Sequence, residues 1–254
     1  MTLILTPLPS IPLIRPGDNL AEILLKSLQQ AEIRLQDGDI LVLAQKIVSK
    51  AENRLVDLQT ISPSPAAQEL AGKTGKDPRL AELLLQESNE ILRVRIGTAI
   101  VEHRLGFVCA NAGIDQSNAG NSDSEHDWAL LLPENPDQSA AQVRAALQTA
   151  SGAQLGVMII DSHGRAWRLG TVGVAIGLSG LPGLIDERGW QDLFGYTLKI
   201  TVVGVADELA AAASLVMGQA AEGTPAVHVR GFPYPLREGS VKELLRPKDQ
   251  DMFR

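Results

Sequence analysis

Cysteine is nearly missing from this chain: Cys109 is the only one in 254 residues, so no intrachain disulfide framework can form, and a reducing cytoplasm is the expected location. An unpaired cysteine is most often a small buried strand residue, and Cys109 is read that way. A basic excess is missing too. The net charge of −7 argues against a general nucleic-acid or membrane-surface binder, although local basic pockets remain open. No uninterrupted apolar run approaches the roughly 20 residues that span a bilayer. Residues 1–14 are apolar but broken by Pro7, Pro9 and Pro12, and they lack the basic start and cleavage site of a signal peptide. The Walker phosphate loop, the zincin His-Glu-x-x-His motif and any Cys-x-x-Cys pair are also absent.

What is present is a chain of 44% hydrophobic content, enough for one large domain or two intimate subdomains around a sizeable core. An opening strand at 2–6 leads through a proline-marked loop to a helix over 20–30, capped by Asp18 or Asn19, with Leu20, Ile23, Leu24 and Leu28 at helical spacing. A turn at 37–39 precedes a buried strand at 40–44, out of which comes the polar segment 45–52. Ser64-Pro65 and Asp77-Pro78 each pair an N-cap with a proline in the first turn, predicting helices over 65–73 and 78–88. Strands follow near 90–95, 98–103 and 107–111, then an acidic, aperiodic loop at 120–127. A strand at 128–132, a helix over 139–150, a strand ending at Asp161, a glycine-punctuated β segment at 171–180 and a strand at 197–205 come next. Asp207-Glu208 opens an alanine-rich helix that Gly218 stops, and a core strand at 226–229 follows. This mixed order predicts an α+β fold of mixed sheets with flanking helices, in two intimately packed subdomains. Residues 1–237 are expected to form one catalytic unit, with 238–254 a charged peripheral tail.

Two aspartates stand where apolar strands end in turns: Asp115 within Asn-Ala-Gly-Ile-Asp-Gln-Ser-Asn118, and Asp161 within Asp-Ser-His-Gly-Arg165. Carboxylate and hydroxyl oxygens suit hard cations such as Mg2+ and Mn2+, and Ser162 adds a further oxygen. Both patterns are equally ordinary turn chemistry, so spacing leaves ligation and turn formation open. Lys46 and Lys50 share a face if their segment is helical. Arg165 and Arg168 suit forked binding of phosphate or carboxylate, or partner surface acids. His163 is a candidate proton carrier or ligand beside Asp161. Gly173, Gly177 and Gly180 faintly echo a dinucleotide loop, but the strand–turn–helix context is missing and close backbone packing in a sheet is preferred.

Four ordered blocks resemble one family, the coenzyme F420-0:γ-glutamyl ligases. They are Gly38 through Arg54, Val108 through Asn118, Ile160 through Arg165, and Val205-Ala-Asp-Glu-Leu-Ala210 with Val216-Met-Gly-Gln219. The resemblance runs from Pro12 to Gly231 and implies a GTP-dependent ligase that adds γ-linked L-glutamate to a deazaflavin coenzyme precursor, F420-0 or F420-1, through an acyl phosphate. By matching positions, Asp115, Asp161, Ser162 and Gln219 are expected to hold divalent metal, Mg2+ or Mn2+ at two sites, with K+ also implied. Asp115, Asp161 and Lys50 are expected to serve catalysis. Ile11, Pro12, Leu13, Ile14, Gln45, Lys46, Lys50 and Asn118 fall at GTP positions, as do Met217, Gly218, Gln219, Ala220, Ala221, Glu222, Gly223 and Thr224. Gln219 replaces an acidic ligand of some relatives, His163 stands where Asn or an aromatic residue is expected, and the loop 120–127 is longer than usual. The resemblance implies a cytoplasmic homodimer of the stand-alone form, without a fused flavin-reductase-like domain. Two other readings stay open: a metal-dependent nucleotide phosphohydrolase and a nucleotide-binding regulator without catalysis.

Overall fold

The structure, a computed structural model, describes residues 2–117 and 127–253. Its elements run β1 (Ile4–Pro7), α1 (Leu20–Gln30), β2 (Ile40–Ala44), α2 (Gln45–Ala51), β3 (Leu55–Asp57), α3 (Pro65–Thr74), α4 (Pro78–Gln86), β4 (Ser88–Arg95), β5 (Thr98–His103), β6 (Val108–Ala110) and β7 (Trp128–Leu130). They continue with α5 (Pro136–Ser151), β8 (Gly156–Gly164), β9 (Thr171–Ser179), β10 (Ile185–Asp186), β11 (Val202–Val203), α6 (Val205–Met217) and β12 (Ala226–Arg230). This is an α+β fold, as the alternation of patterns predicts.

The frame is a five-stranded sheet of order β1-β12-β2-β8-β9, in which only β2 and β8 run parallel. Side chains alternate across a strand, so β2 and β8 feed two cores. Ile40, Val42, Met158 and Ile160 pack on one face with Leu209, Ala210 and Ala213 of α6. Leu41, Leu43, Val157 and Ile159 face the other way, against Leu24 and Leu28 of α1 and Val143 and Leu147 of α5. That second core continues into α3, α4 and the three-stranded sheet β4-β5-β6 through Leu70, Leu84, Val101 and Cys109. Cys109 is buried, and burial pushes its thiol up to about 12.

Asn19 accepts a hydrogen bond from the Glu22 amide at the start of α1, Ser64 from Ala67 in α3, and Asp77 from Arg79 in α4. Two expectations shift. The helix expected over 139–150 begins at Pro136 under an Asn135 cap, because proline is tolerated in a first turn whose amides lack intrahelical partners. The strand expected at 197–205 shrinks to Val202–Val203, since Ile200 stays 89% exposed and has no core to pack against. Beyond residue 237, Ser240 Oγ donates to Asp137 at 2.6 Å and Val241 is buried. At the start of β2 the buried Asp39 accepts Arg230 Nε at 2.8 Å and Nη2 at 2.7 Å. His228 Nε2 lies 2.9 Å from the same carboxylate, a close ionic contact rather than an aligned hydrogen bond.

Candidate active site

The register of β2 on β8 pairs Ala44 with Ile160, so two parallel strands end side by side. Whatever follows each strand therefore opens on the same cleft, the usual ligand position in such sheets. Gln45 and Lys46 follow one strand, and Asp161 and Ser162 extend the other. The return from α6 to β12 closes the third side, because the Ala44 amide donates to the Pro225 carbonyl at 2.8 Å. The cleft has a volume of about 230 Å³.

Polar atoms converge here. Ser162 Oγ donates to Gln219 Oε1 at 2.9 Å, and Gln219 Nε2 donates to Ser214 Oγ at 3.0 Å, so the glutamine turns its carbonyl oxygen toward β8. Gly218 allows the turn between them: its φ is +75°, and a Cβ would meet Glu222 Cδ at 2.3 Å. Glu222 accepts the Ala220 amide at 2.8 Å and Thr224 Oγ1 donates to the Met217 carbonyl at 3.0 Å, tying the loop to itself. Lys46 Nζ sits 2.6 Å from Asp115 Oδ2 and donates to Ser117 Oγ at 2.9 Å. Burial alone would raise the Asp115 carboxyl, but hydrogen bonds from Lys46 and Ser117 outweigh it and hold the group below its ordinary value. Lys50, one turn further along α2, is lowered by burial and by the Lys46 charge, against the pull of Asp115. Asp161 Oδ2 lies 3.1 Å from His163 Nε2, whose ring packs against Phe107 at 5.4 Å.

Of the residues expected at the site, Gln45, Lys46, Asp161, Ser162, Met217, Gly218, Gln219, Ala220, Glu222, Gly223 and Thr224 line this cleft. Asp115 joins through Lys46, and Lys50 stands behind that pair. Ala221 belongs to the same loop without lining the cleft. The stretch Ile11, Pro12, Leu13 and Ile14 does not line it either: Ile14 is core, Ile11 packs beside it, and Leu13 is 88% exposed. That loop leaves the sheet at the same end, through the Leu8 amide bonded to the Ala226 carbonyl at 2.9 Å. Asn118 and residues 120–126 of the acidic loop lie outside the described residues. Sequence reading missed Ser117 and Ser214. Ser117, two residues past Asp115 in an Asx-type turn, carried a usable signal, whereas Ser214 is marked only by the fold.

Among the described residues no three His, Cys, Asp or Glu side chains cluster as a metal cage. The donors present are carboxylate, hydroxyl and amide oxygens, with Ser162 and Gln219 oxygens already facing each other, and the Lys46 ammonium supplies positive charge at Asp115. Oxygen-only donors fit hard divalent cations and exclude soft ones.

The sequence profile of the family described as F420-0:Gamma-glutamyl ligase matches residues 9–231. The chain belongs to this family. It is 50% identical over 246 residues to the coenzyme F420:L-glutamate ligase of Methanothermobacter thermautotrophicus, covering 96% of each chain. The protein of the same name from Methanopyrus kandleri is 48% identical over 257 residues, covering 100% of this chain and 98% of its own. That of Archaeoglobus fulgidus is 41% identical over 248 residues, covering 98% and 95%. The family's profile spans every wall of the cleft, from α2 to the loop before β12.

Proposed function

We propose that this chain is a ligase forming carbon–nitrogen bonds, which adds L-glutamate through a γ-linkage to the deazaflavin coenzyme precursors F420-0 and F420-1 at the expense of GTP. The observation that carries this reading is the cleft where β2 and β8 end together, with a lysine, a carboxylate, a hydroxyl and an amide oxygen on its walls, in a chain that matches coenzyme F420:L-glutamate ligases along nearly its full length. In this reading a carboxylate oxygen of the acceptor attacks the γ-phosphorus of GTP. The bond to the bridging oxygen breaks, GDP leaves, and an acyl phosphate remains. The glutamate amine attacks the acyl carbon, the carbon–oxygen bond to phosphate breaks, and the amine proton is lost to solvent. Lys46 and Lys50 offer positive charge to the phosphates, and the backbone of 218–224 wraps the nucleotide.

Asp115, Asp161, Ser162 and Gln219 are the residues to hold Mg2+ or Mn2+ at two sites, with K+ as a further ion. Bound there, such ions neutralise the polyphosphate and the transferring phosphoryl group. The neutral Gln219 oxygen makes its site weaker than a carboxylate would. A homodimer in the cytoplasm completes the reading. Its support is the ribbon 187–201, which leaves Leu193 and Phe194 98% and 95% exposed, an apolar surface suited to a second copy. No described helix is long and apolar enough to cross a membrane.

The test is incubation with GTP, Mn2+, L-glutamate and the deazaflavin precursor, with products resolved by mass. Glutamylated product with stoichiometric GDP is expected. The absence of both overturns the reading, and phosphate release without glutamate or acceptor would instead mark a nucleotide phosphohydrolase.

A further inference from the structure

A second cavity of about 260 Å³ lies beyond the Asp161–His163 pair, walled by β6, β9, the start of α6 and the C-terminal segment. His163 lines it and contacts Asp161 on its other side at 3.1 Å, so this cavity and the main cleft meet at that pair. Two groups of opposite charge face each other across it without partners of their own. Asp207 is half-buried at the first turn of α6. Its Oδ1 accepts the Ala175 amide at 2.9 Å, while Oδ2 accepts no hydrogen bond from any described residue. Arg246 lines the opposite wall and makes no ion pair with a described residue. Asp251 adds a second carboxylate to the lining, and Phe107 closes the floor with an apolar ring.

A half-buried carboxylate with an open oxygen is costly unless something donates to it, and a guanidinium is built to grip a carboxylate in a forked pair. An α-amino acid answers both demands at once, because it carries an ammonium and a carboxylate a few bonds apart. A polyphosphate would meet two carboxylates against one guanidinium, and a purely cationic ligand would leave Arg246 unanswered. We infer that this cavity is the subsite for the incoming amino acid, with Asp207 holding the amino group and Arg246 the carboxylate. The inference rests on the ligase reading and deepens it: an amine held here is one side chain, His163, away from the cleft in which the acyl group is activated. Asp207 and Arg246 are binding residues for the nucleophilic substrate, and neither is needed by the nucleotide.

Calorimetry of L-glutamate with the full chain tests this without turnover. The unaltered protein should bind L-glutamate, and Arg246→Ala and Asp207→Asn should each weaken it about tenfold or more, as expected for loss of a charge-assisted contact. Arg246→Lys, which keeps the charge but not the fork, should retain part of the affinity. Arg246 is exposed, so its variants keep the fold, and a thermal melt alongside identifies any unfolding of Asp207→Asn. In assays, the KM for glutamate should rise by a similar factor while the KM for GTP stays within about twofold. Equal glutamate affinity in the unaltered protein and Arg246→Ala overturns the subsite, as does no binding at all. Glutamate binding that depends on both residues, with no product formed from GTP and precursor, would leave the subsite standing and overturn the ligase reading instead.

Discussion

Lys46 and Asp115 come from segments 69 positions apart and meet at 2.6 Å, which places the carboxylate where a phosphate-bound cation would be drawn. Asp115→Asn and Asp161→Asn each remove a negative oxygen donor while keeping the shape. Turnover should fall by at least about a hundredfold in each, with Mn2+ affinity reduced in parallel, as read by electron paramagnetic resonance of free Mn2+. Normal rate and metal affinity would refute the role of that position. Lys50→Ala removes a charge-assisted contact of roughly 1.5–3 kcal/mol, so GTP should bind at least about tenfold more weakly in a direct titration. Asp39 gives a prediction about pH. Burial alone would raise its carboxyl, yet hydrogen bonds from Arg230 and contact with His228 hold it down to about 2. The folded state therefore favours the ionised form. The stabilisation is complete above pH about 4 and is lost as pH falls toward 2, amounting to about 2 kcal/mol. Urea unfolding followed from pH 6 to pH 3 should show this loss, and Asp39→Asn should flatten it.

At the scale of elements, β9 shows how packing decides what a glycine is for. A Cβ on Gly173 would lie 2.4 Å from the Ala210 carbonyl oxygen and 2.5 Å from Ser214 Cβ, and one on Gly177 would lie 2.5 Å from Pro136. These glycines let α6 and the start of α5 sit tightly on opposite faces, the switch of face coming from the bulge near Ile159 and Ile160. Gly173→Ala should cost about 1–3 kcal/mol in denaturant unfolding. Because α6 delivers Gln219, the same change should weaken nucleotide binding; an unchanged denaturation midpoint would show that α6 yields without cost. The reading of these glycines as close-packing positions was open to sequence reasoning because no helix pattern follows them. The caps Asn19, Ser64 and Asp77 were equally legible, since each pairs a side-chain acceptor with the start of an apolar repeat. The segment 197–205 misled for the converse reason: its alternating Leu198, Ile200 and Val202 describe a strand with one apolar face, and only the fold shows that this face meets no core.

At the scale of the molecule, the ribbon 187–201 is the largest apolar surface that the described fold leaves uncovered, with Trp190 and Tyr196 exposed beside Leu193 and Phe194. Sedimentation should find a dimer at micromolar concentration, and Leu193→Asp with Phe194→Asp should shift it to monomer. A monomer before substitution would remove the dimer from the proposal. The walls of the cleft divide in the same way between sequence and fold. Strand ends, caps, the lysine pair and the two aspartate turns were determined by local chemistry, because apolar runs, capping oxygens and turn formers act on their own neighbours. The family blocks could be read because they are continuous in the chain. Which of these pieces share a cleft depended on the pairing of Ala44 with Ile160, and no local signal encodes the register of strands more than a hundred residues apart. The same pairing explains why the resemblance placed Ile11, Pro12, Leu13 and Ile14 at the nucleotide while the fold keeps them off its walls: the loop shares the sheet's end but turns its apolar side chains into the core. The second cavity is still less visible in the chain, since Asp207 and Arg246 face each other only because the C-terminal segment folds back over α6 and β9, anchored by Asp137 and Val241.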